Sequence, residues 1–166
     1  MIPVDPGLYL HNTAGVLIDT NLLVLFVVGT VNRERIRTFK RTSIYTREDY
    51  DLLRRVLSRF KVWYTVAHVL AEVNDLTDLP GPEKIRARLV LKDTISPLHE
   101  ADIPSARAAE ERIFEGLGLV DAAIGAAARE HNCSVLTDDF DLYHRLSRDH
   151  IYVFNFTHLR EASWRL

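Results

Sequence analysis

The chain has 166 residues, of which 47% are hydrophobic and 27% charged, and its net charge is -2. The composition excludes an intrinsically disordered chain, and the length predicts one domain that buries roughly two-thirds of its unfolded surface. The small net charge excludes a strongly basic nucleic-acid binder and a strongly acidic solvating chain.

Neither a disulfide framework nor a membrane anchor is expected. Cys133 is the only cysteine, which excludes an intramolecular disulfide and a Cys-rich zinc site and favours a reducing, cytoplasmic location. The first residues lack the basic region of a signal peptide. The apolar run at 15–29 contains Asp19 and Asn21 and is shorter than the roughly 18 to 20 apolar residues of a membrane span.

The first half of the chain alternates between apolar strands and helices. A continuous apolar run bounded by turn residues is typical of a strand buried on both faces, and apolar residues at helical spacing indicate an amphipathic helix. We predict a strand at 15–18, a helix at 22–28 ended by Gly29, a mostly irregular basic stretch at 30–46, an amphipathic helix at 47–60, a strand at 62–64 and a helix at 66–76 capped by Thr65.

The second half continues the alternation after a proline- and glycine-rich break. We predict the break at 78–82, a helix at 83–91, a short strand at 94–98, a helix at 103–115, a helix at 119–131 after the interruption by Gly116 and Gly118, a strand at 134–137 and a last strand at 151–156. Such alternation predicts an α/β fold with a mostly parallel sheet and helices on both faces. Ligands of such folds bind at the carboxyl ends of the strands.

The charge is unevenly distributed along the chain. Residues 31–61 hold ten basic and four acidic side chains, a local net charge of +6, so the remainder carries -8. A polyanionic ligand with bound cations fits this distribution, because the polyanion would bind the basic residues and the cations would bind the acidic remainder. A solvated helix face followed by a basic loop is the other interpretation. We treat residues 30–61 as a basic insertion within a single domain spanning 1–166.

Several acids lie at the ends of apolar elements or interrupt them. Asp19 follows the first strand, Asp121 lies in the first turn of the helix that follows Gly118, and Glu72 interrupts a helix with apolar neighbours. Three more acids crowd the end of the next strand, namely Asp138, Asp139 and Asp141. Burying an unpaired carboxylate is costly unless a cation or hydrogen-bond donors compensate it. These acids therefore need partners.

Each acid has an ordinary structural alternative when taken alone. Asp19 or Thr20 could cap a helix, Asp121 could interact favourably with a helix dipole, and the later acids could form an exposed turn. His68 lies four residues before Glu72, but a zinc site lacks a second histidine, so a structural or supporting role is favoured. Only a common site at one edge of the sheet explains all the acids together.

Hard cations such as Mg²⁺ and Mn²⁺ prefer carboxylate and water ligands. One or two such ions, held by three or four carboxylates, can deprotonate a water, orient it in line with a phosphodiester and stabilise the leaving oxygen. No general-base side chain is then required. The acids therefore predict a metal-dependent nuclease.

The order and contexts of these acids resemble the PIN-domain nuclease family. The matching segments frame nearly the whole chain and lie at 16–21, 71–73, 119–124 and 135–141. The resemblance implies a three-layer α/β/α sandwich and Mg²⁺- or Mn²⁺-dependent hydrolysis of phosphodiesters, usually in RNA. Many members are toxins of toxin-antitoxin pairs, so the resemblance also implies an antitoxin partner and a homodimer.

The resemblance assigns roles to individual positions. The four family acids correspond to Asp19, Glu72, Asp121 and Asp139, with Asp141 as an additional metal-binding acid found in some members. Supporting positions correspond to Asn21 and Thr137, and Asp138 stands where the family varies. The basic stretch makes the spacing from the first acid to the second longer than in compact toxins of this family, which sets this chain apart from them.

Two other functions compete with a nuclease. A phosphatase of the haloacid dehalogenase type would need an aspartate where Asn21 stands, and a receiver domain would need adjacent acids near its first strand. A non-catalytic PIN-fold scaffold that binds RNA or a protein is the stronger alternative. For the nuclease, we expect phosphate contacts from three arginines of the basic helix, Arg54, Arg55 and Arg59.

Overall fold

The computed structural model describes residues 15–163 and is built on a central sheet. Its strands are β1 (Val16–Ile18), β2 (Trp63–Val66), β3 (His99–Ala101), β4 (Ser134–Thr137) and β5 (Val153–Asn155). They lie in the order β3-β2-β1-β4-β5, and all neighbours are parallel. The strand order therefore reverses between β1 and β4. In open α/β sheets such a reversal opens a crevice at the carboxyl edge.

Ten helices accompany the sheet within residues 15–163. They are α1 (Thr20–Val31), α2 (Arg35–Thr38), α3 (Arg47–Leu57), α4 (Ala67–Leu76), α5 (Pro82–Ile95), α6 (Ser105–Ala109), α7 (Phe114–Leu117), α8 (Leu119–His131), α9 (Phe140–Arg148) and α10 (Phe156–Ser163). The predicted three-layer α/β/α sandwich is confirmed. None of these helices combines the length and apolarity needed to cross a bilayer. The expectation about a signal peptide concerns the first residues, which lie outside the described part.

Helix α1 is the central helix of the core. Nine of its twelve residues are buried, so it needs cover on nearly every side. The sheet and helices α3, α4 and α5 provide that cover. The register of β1 against β4, with Ile18 beside Leu136, places the first residue after β1 next to Thr137. Packing of α1 therefore fixes the position of Asp19 at the carboxyl edge.

The prediction that Gly29 ends the first helix was wrong. Helix α1 continues through Gly29 to Val31. A Cβ atom on Gly29 would lie 2.4 Å from Cδ2 of Tyr50, far inside van der Waals contact. The glycine therefore allows α3 to approach α1 closely and does not terminate the helix.

Two predicted boundaries near β2 and β3 were also wrong. Thr65 belongs to β2, where it pairs with Glu100 of β3, and α4 begins two residues later without a side-chain cap. The segment 94–98 is not a strand, because α5 extends to Ile95 and the Thr94 hydroxyl donates to the Val90 carbonyl at 2.7 Å. β-Branched residues favour strands only weakly, and helix packing overrides that preference here.

Three further segments differ from their predictions. The expected helix at 103–115 is two short helices, α6 and α7, with a turn between them. The stretch 30–46, expected to be mostly irregular, contains the end of α1 and the single turn of α2. The last strand is shorter than expected, because Phe156 is already the first residue of α10. Helix α8 and strand β4 match their predicted bounds.

Candidate active site

Asp19 is both a helix cap and a buried site residue. It follows β1 and is the N-cap of α1, where its Oδ1 accepts from the Leu22 amide at 3.0 Å. Its Oδ2 accepts from the Thr137 hydroxyl and from the Asp138 amide at 3.3 Å. A carboxylate offers about four acceptor positions, so three donors leave room for one further ligand. Helix capping therefore accounts for part of the environment of Asp19, but one acceptor position of its carboxylate is left for a further ligand.

The negative charge of Asp19 is poorly compensated. Burial, together with the neighbouring charge of Asp138, raises the pKa of Asp19 from 3.8 to about 8. Hydrogen bonds from the three donors act in the opposite direction and do not outweigh the burial. Without a cation, the folded protein therefore favours a protonated Asp19 near neutral pH.

Thr137 joins the carboxyl ends of β1 and β4. Its buried hydroxyl donates to Asp19 and accepts from the Asp139 amide at 3.0 Å. Asp139 in turn is the N-cap of α9, and its Oδ1 accepts from the amides of Asp141 at 2.7 Å and Leu142 at 3.1 Å. One hydroxyl group thus fixes the relative positions of two predicted site acids.

Asp121 connects the remaining acids. It lies in the first turn of α8 and is partly buried. Burial, followed by the charges of Asp139 and Glu72, raises the pKa of Asp121 to about 7. Glu72 is exposed on α4, and the Thr20 hydroxyl donates to its Oε2 at 2.8 Å. The charges of Asp139 and Glu72 therefore both act on Asp121, and Thr20 links Glu72 to the Asp19 side of the crevice.

Asp138 is held by protein donors on both of its oxygens. The Tyr45 hydroxyl donates to Oδ2, and Nδ2 of Asn21 donates to Oδ1 at 3.3 Å. Tyr45 is fully buried, and burial together with the charge of Asp138 raises the pKa of its hydroxyl. Asp138 is thus oriented by the basic segment, while its charge acts on Asp19.

The acids lie at one edge but do not form a closed ion-binding cage. Among residues 15–163, no three His, Cys, Asp or Glu side chains converge closely enough to hold an ion. The exposed Asp141 lines a neighbouring cavity of about 440 Å³. His68 hydrogen-bonds Ser105 Oγ at 2.8 Å. The oxygen donors and their uncompensated charge fit a hard divalent cation, which would compensate the burial and the neighbouring charges that raise the pKa values of Asp19 and Asp121.

The three predicted substrate-binding arginines lie away from these acids. Arg54, Arg55 and Arg59 are exposed on or just after α3, and the Arg54 guanidinium lies 5.8 Å from the ring centroid of Tyr50. The Tyr50 hydroxyl is 3.0 Å from that of Thr30 near the end of α1, roughly 15 Å along the helix from its first residue. A substrate that contacts both the acids and these arginines would therefore have to span several nucleotides.

Two residues of the site are not predicted by the sequence patterns. The sequence predicts Thr20 only as a helix cap, although its position directly after Asp19 places it at the same edge. Tyr45 carries no local signal, because it lies in a stretch without periodicity and meets a partner 93 positions away. Only the folded chain brings it to Asp138.

The fold and the site define the class of protein. It is a parallel α/β/α sandwich whose acids lie at the carboxyl edge, where the strand order reverses. The PIN domain model matches residues 16–147, and the chain belongs to the PIN domain family. Members of this family are typically nucleases and toxins, and its nucleases generally use divalent metal ions.

Two solved structures are similar to this chain. The structure of FitAB bound to an IR36 DNA fragment matches with a TM-score of 0.54 and 19% identity, over 85% of this chain and 94% of that chain. A domain of a functionally unknown protein from Methanocaldococcus jannaschii DSM 2661 matches with a TM-score of 0.46 and 17% identity, over 84% and 89%. No curated protein matches the chain. The first similarity supports the fold.

Proposed function

We propose that this protein is a metal-dependent endoribonuclease that hydrolyses RNA phosphodiester bonds. The observation that carries the proposal is the electrostatic grouping of Asp121, Asp139 and Glu72 beside the buried Asp19. Helix capping alone does not explain why acids from four separate elements lie at one edge of the sheet. Membership of a family that typically contains nucleases supports the same conclusion.

The proposed Mg²⁺ or Mn²⁺ ligands are the four acids of the edge. Asp19 would contribute its remaining acceptor position, while Asp121, Asp139 and Glu72 would contribute oxygens from α8, α9 and α4. Asp141, one of the exposed acids, is the proposed fifth ligand. When bound, such a cation supplies a Lewis acid that activates water and stabilises the charge of the phosphodiester transition state.

The neighbouring polar groups position these acids. The Thr137 hydroxyl orients Asp19 and supports the Asp139 amide, and the Thr20 hydroxyl orients Glu72. Asn21 contributes by orienting Asp138. Fixing ligands through a second set of hydrogen bonds commonly changes metal affinity by about 10- to 100-fold. The substrate's phosphates would be gripped further away by Arg54, Arg55 and Arg59.

Cleavage of single-stranded RNA tests the proposal. Wild-type protein should cut with Mn²⁺ and stop in EDTA, and Asp121→Asn should lower the rate at least about 100-fold, the scale of losing one transition-state interaction. Asp93→Asn is the matched control, because this exposed residue lies at the end of α5 that leads into the opposite edge of the sheet. Equal rates for Asp121→Asn and Asp93→Asn would reject the mechanism.

A non-catalytic RNA-binding or protein-interaction scaffold is the second candidate. It is favoured by the absence of three converging ion ligands among residues 15–163. Binding of single-stranded RNA without cleavage, with Mn²⁺ present and at several pH values, would establish that candidate in place of the nuclease.

The proposed partners are an antitoxin protein and a second copy of this chain. PIN family membership supports the first. For the second, Ile85 and Leu89 are exposed one turn apart on α5. Sedimentation of the purified protein should show a dimer that Leu89→Asp converts to a monomer. A monomer for the wild type would remove the homodimer from the proposal.

A further inference from the structure

Four aromatic side chains form a closed surface cluster on α9 and α10. Phe140 contacts His144 and His158, with ring centroids 6.3 and 5.7 Å apart. Tyr143 contacts the same two histidines at 5.4 and 5.5 Å. Three of these four contacts are edge-to-face, and the remaining pair, Phe140 and His144, is inclined by 31°. We call these four residues the aromatic cluster.

The aromatic cluster is not part of the hydrophobic core. Helix α9 turns Leu142 and Leu146 towards the core, and both are buried. Phe140 is 47% exposed, and His144 and His158 are exposed as well. A phenylalanine ring left in water forgoes the burial that normally stabilises it. Its placement therefore calls for a ligand that covers it or for a purely local role.

Phe140 directly follows Asp139 in the chain. Asp139 caps α9 through its side chain, and this cap fixes the first turn in which Phe140 stands. The exposed ring and the proposed metal-binding acid therefore project from consecutive residues at the carboxyl edge. The Cα atoms of consecutive residues are about 3.8 Å apart, so one short single-stranded ligand can reach both the Phe140 ring and the acids.

Positive charge flanks the aromatic cluster on the same helix. Arg145 and Arg148 line a cavity that His144 and Asp141 also line. The Arg145 guanidinium is anchored by donating to the Arg112 carbonyl at 2.7 Å. Exposed aromatic rings interleaved with arginines are the means by which proteins hold unpaired nucleotides, with stacking for the bases and cations for the phosphates.

We propose that Phe140 and His144 form a stacking platform for an unpaired base next to the cleaved phosphodiester. The proposal rests on the proposed function, because it uses the acidic edge as the position of the phosphate. Bases within a duplex are already stacked on each other and are not available to the ring. Arg145 and Arg148 then contact phosphates close to the cut, nearer than the arginines of α3.

Fluorescence of 2-aminopurine tests the platform independently of cleavage. Single-stranded RNA oligonucleotides carry this base at successive positions and are titrated with protein, first in EDTA and then with Mn²⁺. The variants are Phe140→Ala, which removes the ring, and Phe140→Tyr, which keeps it. Tyr152→Ala is the control, because Tyr152 is a comparably exposed aromatic residue before β5, at the opposite edge of the sheet.

We expect wild type to quench the fluorescence at one or two positions and to bind about tenfold more tightly than Phe140→Ala, with a duplex showing no quenching. Phe140→Tyr and Tyr152→Ala should behave as wild type.

Equal quenching by Phe140→Ala, or absence of binding by wild type, overturns the platform. Quenching that depends on Phe140 without any cleavage keeps the platform and rejects the nuclease. Titration with single-stranded DNA shows whether the sugar contributes to binding. If Phe140 binds a peptide partner in place of RNA, the proposal is also overturned.

Discussion

Thr137 is the residue on which the geometry of the acids depends most. Its hydroxyl touches both Asp19 and the amide of Asp139. Replacing Thr137 by valine keeps the shape but leaves a buried carboxylate and an amide each without one partner. We expect the free energy of unfolding to fall by about 1–3 kcal/mol and RNA cleavage to fall with it.

Chemical denaturation and initial rates of RNA cleavage measure these two effects. Thr137→Ser is the control, because it retains the hydroxyl and should keep most of the activity. If Thr137→Val cleaves as fast as Thr137→Ser, the hydroxyl does not organise the site.

The pKa values of Asp19 and Asp121 predict how stability depends on pH in metal-free buffer. Both are raised from 3.8, to about 8 and about 7, so the folded protein retains protons that the unfolded chain releases. Their contribution is fully present below about pH 4 and is lost as the pH rises through the folded values. Stability in EDTA should therefore fall between about pH 5 and pH 8.

Thermal unfolding of wild type and Asp19→Asn measures this slope. Asparagine is a good N-cap and carries no charge, so the variant should show a flatter profile, while Asp93→Asn should match wild type. A wild-type profile that rises over the same range would contradict the raised pKa values.

At the scale of elements, the contact between α1 and α3 is one of those that hold the helix capped by Asp19. Gly29 lets the Tyr50 ring lie against α1, and a Cβ there would be 2.4 Å from Cδ2 of that ring. Gly29→Ala should lower the free energy of unfolding by about 1–3 kcal/mol through overpacking, as measured by denaturant titration.

Gly125→Ala in α8 is the matched control for that substitution. Its Cβ would lie 2.8 Å from Cδ1 of Ile113, the end of a flexible side chain that can move aside, and alanine improves helix propensity by about 1 kcal/mol. Its net effect should be small. Equal destabilisation by both substitutions would show that the approach of Tyr50 is not special.

The whole molecule shows which features a sequence reveals and which it hides. The sheet and the acids were predictable, because continuous apolar strands such as β1 and β4 are followed at once by Asp19 and by Asp138 and Asp139. Local patterns carry that information. Gly29 and Tyr45 were misread or overlooked because their roles come from partners that are distant in sequence.

The basic insertion, residues 30–61, also shows that local sequence patterns do not reveal contacts between distant parts of the chain. Its charge predicted contact with a polyanion, and Arg54, Arg55 and Arg59 are indeed exposed. Their distance from Asp19 depends on how α3 packs along α1, which no charge count reveals. The segment's buried contribution to the site is Tyr45, whose partner belongs to the other half of the chain.

If one group of acids binds a divalent cation, Mn²⁺ binding measured by isothermal titration calorimetry is the most direct test of the site. Wild type and Asp93→Asn should bind Mn²⁺ with the same affinity, whereas Asp121→Asn should bind at least about tenfold more weakly, because removing its charge takes away a ligand. Equal Mn²⁺ affinity for all three proteins would contradict the claim.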